Sequence, residues 1–212
     1  MRLVVFDVDG VILDVNPGGF EYLARAIGKE KEVAEIHREY ESRRLEGPWG
    51  LEQLVSLFEG VSCDRLRDLS SSLCKASLMT GAEETIAKLK SGGYSIALLS
   101  SNPLVITEQL KAILGADFIC GNELESKNGT CTGRLKRKVN RYTKAEALER
   151  IIKGNSVAKS NIFIIGDSIT DIPMSKYGRL ISFTSEDRQF DRMASYVVKA
   201  KDLRRILEFI PV

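Results

Sequence analysis

The chain has 212 residues, which is enough for one large domain or for a domain with a sizeable insertion. Its 31 basic and 29 acidic residues leave a formal charge of +2, which gives no basis for a general nucleic-acid or membrane binder. No charged and apolar leader precedes the first predicted strand, and no run approaches the roughly 18 apolar residues of a membrane span. We therefore expect a cytoplasmic protein with neither a membrane nor a nucleic acid as its partner.

Cysteine and histidine usage argues against two further kinds of site. The cysteines have no CxxC spacing, so we expect reduced, partly buried thiols and no zinc site at Cys63, Cys74, Cys120 and Cys131. His37 is the only histidine, and it falls in a strongly charged segment that is typical of an exposed helix face. A Ser-His-Asp or Cys-His mechanism is therefore not expected.

The first predicted strand, residues 3–6 (LVVF), ends in two acidic residues. The apolar run suits a strand that is buried on both faces, where a carboxylate is costly. Asp7 and Asp9 point to the same side in strand phase, and Gly10 allows a tight turn behind them. Such a pair either shares a cation or shares a proton. Taken alone, the DxDG stretch also fits a turn whose aspartates cap local amides.

Residues 15–80 have helical periodicity and no convincing strand. Three apolar stripes repeat at helical spacing, and they are Phe20, Leu23 and Ile27; Val33, Ile36 and Tyr40; and Leu51, Leu54, Val55 and Phe58. We predict a small helical cap over residues 15–80, inserted after the first strand into a core made of residues 1–14 and 81–212. The insertion follows the DxDG turn directly, so it would stand over the strand ends. The alternative is a set of extra helices on the flank of the sheet.

Further apolar runs of strand length alternate with helix-length segments. The predicted strands are 94–99 (YSIALL), 116–120 (ADFIC), 161–165 (NIFII) and 179–183 (RLISF). Asn128 and Gly129 predict a hairpin with a primed turn between polar and β-prone residues. The alternation predicts an open α/β fold with a mostly parallel sheet covered on both faces. Such sheets bind their ligands beyond the carboxyl ends of the strands.

Two helices have recognisable start signals. Asn102 followed by Pro103 predicts an N-cap and a first-turn proline. Thr143 and Glu146 predict a capping box for a second helix that stops near Gly154.

Side chains suited to catalysis follow three of the predicted strands. They are Asp7, Asp9, Ser100, Ser101, Asn102, Asp167 and Asp171, with Lys144 at the start of the helix before the third strand. Each one alone has an ordinary explanation: Ser100 caps a helix, Lys144 is a surface lysine, and Asp171 is an exposed acid in a first helical turn. Three strand ends that all carry such groups are difficult to explain as turn chemistry.

These stretches resemble the four motifs of the haloacid dehalogenase superfamily of phosphatases: DVDGVI, the Ser100 turn, Lys144 and GDSITD. The stretches GAEETIAKLKSGGYSIALLSSN and IFIIGDSITDIPMSKYG are similar to the phosphoserine phosphatase branch, whose helical cap also follows the first motif. The resemblance covers nearly the whole chain. It implies a Rossmann-like core, a magnesium ion and a phosphoaspartyl intermediate.

The resemblance also implies a role for each residue. Asp7 is the nucleophile and a metal ligand, and Asp9 is the acid and base that also lends its backbone carbonyl to Mg²⁺. Ser100 and Lys144 are catalytic through the phosphate, which they bind together with Ser101 and Asn102. The metal set is completed by Asp167 and by Asp171, which orients Asp167 or the lysine. The residue chemistry agrees, because Mg²⁺ prefers oxygen ligands and a carboxylate that attacks phosphorus needs cations to offset the phosphate charge.

The substrate-reading positions depart from this branch. Its cap glutamate and cap arginine, which hold an amino acid, correspond here to Asn16 and Ser56, and a serine cannot form a bidentate carboxylate clamp. Ser101 and Asn102 replace a glycine pair, and Thr170 replaces an asparagine. We therefore expect Mg²⁺-dependent hydrolysis of a small phosphorylated metabolite by an enzyme whose substrate-reading residues are altered.

One segment is strongly basic, with ten Lys or Arg against two acids between Lys127 and Lys159. It would draw a multiply charged ester such as a sugar phosphate or a nucleotide, or it is a solvated face; the residues concerned are Arg134, Lys136, Arg137, Lys138 and Arg141. Two other functions stay open, a phosphotransferase or mutase with the same aspartyl chemistry and a non-catalytic phosphate-binding regulatory module. A homodimer also stays open.

Overall fold

The structure, a computed structural model, describes residues 1–43 and 50–212, except for the side chains of residues 40–43 and 141. The predicted roles of Tyr40 in an apolar stripe and of Arg141 in the basic segment lie outside the described residues. The described part contains one sheet, whose strands are β1 Arg2–Phe6, β2 Tyr94–Pro103, β3 Phe118–Lys127, β4 Thr130–Arg137, β5 Ile162–Gly166, β6 Arg179–Phe183 and β7 Tyr196–Val198.

The strand order is β4-β3-β2-β1-β5-β6-β7. All neighbouring pairs are parallel except β3 and β4, which are antiparallel. The helices are α1 Gly19–Ala26, α2 Glu30–Arg43, α3 Leu51–Ser56, α4 Cys63–Ala76, α5 Ala82–Ser91, α6 Leu104–Leu114, α7 Arg141–Asn155 and α8 Arg188–Met193. Short 3-10 helices cover Lys159–Asn161, Ile169–Tyr177 and Leu203–Glu208.

Strand β1 lies at the centre of the sheet and is buried on both faces, as its apolar run predicts. Val4 and Phe6 belong to a core cluster that includes residues of α5 and α6. Leu3 and Val5 belong to a second cluster with residues of α7 and α8. The predicted α/β class with a mostly parallel, doubly covered sheet is therefore confirmed.

Helices α1 to α4 occupy the interval that the sequence assigns to a helical cap. Apolar side chains of all four, among them Phe20, Val33, Leu54 and Leu73, lie in the same core cluster as α5 and α6. The boundaries of the core, 1–14 and 81–212, and of the cap, 15–80, stay predictions. None of the helices within the described ranges is long and apolar enough to cross a membrane.

The predicted hairpin joins β3 and β4. Lys127 pairs with Thr130, and the two residues between them have the positive φ that a type I′ turn needs, 51° at Asn128 and 77° at Gly129. The hairpin is also bonded to the segment before α4, since the Cys131 N–H donates to the Val61 carbonyl at 2.8 Å. The hairpin prediction is confirmed.

Two predicted helix starts are wrong. Helix α7 is capped by Asn140, whose side-chain oxygen accepts from the N–H groups of Tyr142 and Thr143, so Thr143 is the third helical residue and not the cap. The helix ends at Asn155, near Gly154 as predicted. Helix α6 begins at Leu104, after Pro103.

Strand β7 is absent from the predicted strands because it has only three residues, too few to form a recognisable apolar pattern.

Candidate active site

The ends of β1, β2 and β5 meet at one edge of the sheet. Phe6, the last residue of β1, pairs with Leu98 on one side and with Ile165 on the other. The Asp7 N–H continues this pattern by donating to the Ile165 carbonyl at 2.9 Å. This register brings the residues that follow each strand together, as predicted from the strand ends.

Lys144 lies inside this edge and not on the surface. It is 1% exposed, and its Nζ lies 3.0 Å from Oδ1 of Asp7 and 2.7 Å from Oδ1 of Asp171. Burial alone would lower the pKa of Lys144, but the ion pairs with Asp171 and Asp7 raise it above its ordinary value. Asp171 is fully buried as well. The surface-lysine and exposed-acid explanations of these two residues are therefore wrong.

Three carboxylates converge beside this lysine. One oxygen from each of Asp7, Asp167 and Asp171 lies within 4.8 Å of the others. Burial, with added repulsion from Asp7 and Asp171, raises the pKa of Asp167 to about 8. Oδ2 of Asp171 is buried and has no hydrogen-bond partner among the described residues.

This donor set fits a hard divalent cation. Mg²⁺ is bound in proteins through one or two carboxylate oxygens, with the remaining positions filled by water and phosphate. Burial first, and then the charges of Asp7 and Asp171, raise the pKa of Asp167, and a cation bound beside it would favour its ionised form. A Cβ at Gly10 would overlap the Asp167 carboxylate, so a glycine is required behind it.

Asp9 lies apart from this cluster. Its Oδ1 accepts from the Asn102 side-chain amide at 2.6 Å, and its Oδ2 accepts from the Gly19 N–H, at the start of α1, at 3.1 Å. Burial raises the pKa of Asp9 to about 6, although the Asn102 bond lowers it. The backbone at Gly18 is also close, because a Cβ there would lie 2.6 Å from Oδ2 of Asp9. The amino end of α1 therefore lies directly on the second carboxylate of the DxDG turn.

The last residues of β2 include the other predicted phosphate-binding residues, because this strand continues past the predicted end at Leu99 to Pro103. Ser100 is buried, and its hydroxyl oxygen accepts from the Asn102 N–H at 3.0 Å. Ser101 is exposed, and its carbonyl accepts from the side chain of Asn122. Asn102 is buried and turns toward Asp9, which is why it does not cap α6.

Asn122 and Gly19 are the two residues that sequence reasoning missed. Asn122 is fully buried on β3, and its side chain exchanges hydrogen bonds with the backbone of Val139, two residues before the start of α7. Asn122 thus connects the backbone at Ser101, near the end of β2, to the segment that leads into α7, the helix that carries Lys144. The polar Asn122 in a strand and the glycine pair before Phe20 were the available signals, but their partners are distant in sequence.

The altered positions lie outside this cluster. Asn16 and Ser56 are both exposed, and the Ser56 hydroxyl donates to the Gln53 carbonyl of its own helix. In the basic segment, Lys136 pairs with Glu123 at 2.8 Å, and Lys138 pairs with Glu52 of α3.

Comparisons with known proteins agree with this geometry. A family model of haloacid dehalogenase-like hydrolases matches residues 4–176. The phosphoserine phosphatase of Methanocaldococcus jannaschii is 30% identical over 211 residues, which cover 99% of this chain and 97% of that protein. The phosphoserine phosphatase of Archaeoglobus fulgidus is 31% identical over 192 residues, or 88% of this chain. The match covers 53% of that protein, so the chain spans about half of its length.

Solved structures give the same result. An apo phosphoserine phosphatase superposes with a TM-score of 0.82 at 28% identity, and the match covers 99% of both chains. A phospho-aspartyl intermediate analogue of phosphoserine phosphatase has the same TM-score and identity. The predicted resemblance, the Rossmann-like core and the assignment to a phosphatase family of enzymes are confirmed. The chain belongs to the haloacid dehalogenase-like hydrolase family.

Proposed function

We propose that this protein is a Mg²⁺-dependent phosphomonoester hydrolase that acts on a small phosphorylated metabolite through a phosphoaspartyl intermediate. The observation that supports it best is the buried group formed by Lys144 with the carboxylates of Asp7 and Asp171, next to Asp167. Buried ionisable groups that perturb one another at the ends of strands are typical of catalytic centres. A cluster that served only the fold would not need a third carboxylate.

The metal would be held by carboxylate oxygens of Asp7 and Asp167 and by the backbone carbonyl of Asp9, with Asp171 holding the lysine beside them. When bound, Mg²⁺ offsets the charge of the phosphate and of the carboxylates around it. Lys144 adds a second positive charge at Asp7, where it reduces the repulsion between the nucleophile and the phosphate. The Ser100 hydroxyl, whose oxygen accepts from the Asn102 N–H, is suited to donate its own proton to a phosphate oxygen.

The reaction has two steps. In the first, an Asp7 oxygen attacks phosphorus, the ester P–O bond breaks, and its electron pair goes to the ester oxygen, which takes a proton from Asp9. In the second, Asp9 takes a proton from water as the water oxygen attacks phosphorus. The bond between phosphorus and Asp7 then breaks, and its electron pair returns to the carboxylate. Free phosphate and the regenerated aspartate are the products.

The substrate class is inferred from two features of the chain: it has the catalytic motifs of the phosphoserine phosphatase branch, but it differs at the positions that bind the amino acid there. The comparisons name phosphoserine phosphatases, whereas the positions that read the amino acid in that branch are Asn16 and Ser56 here. Neither side chain carries the charge needed to bind an ammonium or a carboxylate group. We infer that phosphoserine is not the preferred ester.

The test is phosphate release from a panel of phosphomonoesters, phosphoserine included, with Mg²⁺ and with chelator. We expect release that the chelator abolishes, led by an ester other than phosphoserine. Asp7→Asn should reduce turnover by at least about a thousandfold, because the nucleophile is lost. Asp64→Asn, an exposed change of the same kind on α4, should leave turnover unchanged.

Two results would contradict the proposal. Full turnover by Asp7→Asn would exclude this residue as the nucleophile. Transfer of phosphate to an added alcohol or sugar phosphate, with no free phosphate released, would assign the chain to the phosphotransferases instead.

A further inference from the structure

Asn102 holds a position in the site that its place in the sequence does not explain. It is 4% exposed, and its side-chain amide donates to Oδ1 of Asp9 at 2.6 Å. Its own N–H donates to the Ser100 hydroxyl oxygen at 3.0 Å. Asn102 therefore connects the acid and base of the proposed reaction to the phosphate-binding serine.

The two oxygens of Asp9 have donors of different kinds. Oδ1 is held by Asn102, which lies near the end of β2, two residues before the start of α6. Oδ2 is held by the Gly19 N–H of α1, at the longer distance of 3.1 Å. Within the described part of the chain, Asn102 supplies the side-chain hydrogen bond that Asp9 accepts.

The side-chain amide of Asn102 lies against the amino end of α1, and its hydrogen bond to Asp9 sets its orientation. A Cβ on Gly19 would lie 2.9 Å from Oδ1 of Asn102, so the amide oxygen faces the first residue of α1 while the nitrogen faces Asp9. A buried side chain in such a position can direct a neighbouring carboxylate only if it donates to one oxygen and leaves the other available. Oδ2 accepts only the longer bond from the Gly19 N–H, and since a carboxylate oxygen has two lone pairs it keeps the capacity to exchange a proton.

We propose that Asn102 is a positioning residue for Asp9: its amide holds Oδ1 so that Oδ2 faces the leaving oxygen of the substrate. This inference rests on the proposed hydrolase function. It predicts that removal of the Asn102 donor slows the first step most for leaving groups that must take a proton as they depart. An alkoxide must take a proton from Asp9 as the P–O bond breaks, whereas p-nitrophenolate leaves as a stable anion.

The experiment compares first-turnover release of the leaving group from an alkyl phosphate and from p-nitrophenyl phosphate. Asn102→Leu keeps the approximate size of the side chain and removes the donor. We expect its rate on the alkyl ester to fall about tenfold to a hundredfold, and its rate on the aryl ester to fall less than about threefold. Asn155→Leu, an exposed change in the last turn of α7, should alter neither rate. If Asn102→Leu does not fold, Asn102→Ala removes the same donor without a new clash.

The outcomes separate the two proposals. An equal loss on both esters would assign Asn102 a structural role and overturn the inference, as would unchanged rates on both. Absence of hydrolysis of either ester by the wild-type protein would instead overturn the proposed function, and this inference with it.

Discussion

At the scale of single residues, the site depends on charges that compensate one another. Lys144 is buried together with the carboxylates of Asp7 and Asp171, and neither sign of charge would be stable there alone. Space is limited as well, because a Cβ at Gly166 would overlap the Asp171 carboxylate. The glycine before Asp167 is therefore required by the position of Asp171, the second acid of the GDSITD stretch.

Replacement of Lys144 by methionine tests this compensation. We expect Lys144→Met to lower the free energy of unfolding by about 3–5 kcal/mol, because buried carboxylates lose their counter-ion. Mg²⁺ should restore part of the loss, since it offsets the same charge when it binds the native protein. The measurement is urea denaturation with Mg²⁺ and with chelator. Lys153→Met is the matched control, because Lys153 lies on the same helix but is exposed.

Two results would contradict this prediction. A loss as small as that of the control would mean that the carboxylates do not depend on Lys144. A loss that Mg²⁺ does not change would mean that the cation binds elsewhere.

The sequence predicts part of this site well. Asp7, Asp9 and Asp167 follow apolar runs that can only be buried strands, so their meeting at one edge follows from the parallel fold. The depth of Lys144 is not predictable in this way, because it depends on a carboxylate that is 27 residues away. Asn102 shows the same limit more clearly. Its place before Pro103 predicts an N-cap, but its side-chain amide donates to Asp9 instead.

At the scale of elements, the start of α7 decides where Lys144 lies. Asn140 caps this helix through two N–H groups, and the Thr143 hydroxyl oxygen accepts from the Asn140 N–H in return. Sequence analysis recognised the threonine but assigned it the wrong place in the motif, because Thr143 and Glu146 have the same spacing as Asn140 and Thr143. Helix α7 begins directly after Asn140, because the side chain of Asn140 accepts from the free N–H groups of the first turn.

We expect Asn140→Ala to destabilise the protein by about 1 kcal/mol, because two N–H groups of the first turn lose their acceptor. It should also reduce turnover, since fraying of this turn displaces Lys144. Urea denaturation and phosphate release measure the two effects. Asn155→Ala, at the other end of α7, should have little effect on turnover. Equal effects on turnover of the two variants would mean that the cap does not position the lysine.

At the scale of the whole molecule, a run of basic residues in the sequence does not by itself predict a positive electrostatic potential at the protein surface. The basic segment stands out because its acidic partners come from elsewhere, Glu123 from β3 and Glu52 from α3. The hairpin that carries it also bonds through its backbone to the segment before α4. The mostly parallel sheet and its two covered faces are predictable from apolar runs, whereas the strand order and these contacts across the chain are not.

This pairing favours the solvated-face interpretation of the basic segment over a substrate-attracting one. Lys136, Lys138 and Glu52 are exposed and Glu123 is half-buried, so salt screens these pairs and each contributes little. We expect the triple variant Lys136→Ala, Arg137→Ala, Lys138→Ala to keep the KM of the best ester within about twofold, because these charges act from a screened surface. The matched control removes the same charge from other faces with Lys88→Ala, Lys90→Ala and Lys111→Ala. A KM that rises only in the first variant, with a difference that disappears at high salt because the KM of the wild type rises to the same value, would show that the basic segment attracts the substrate.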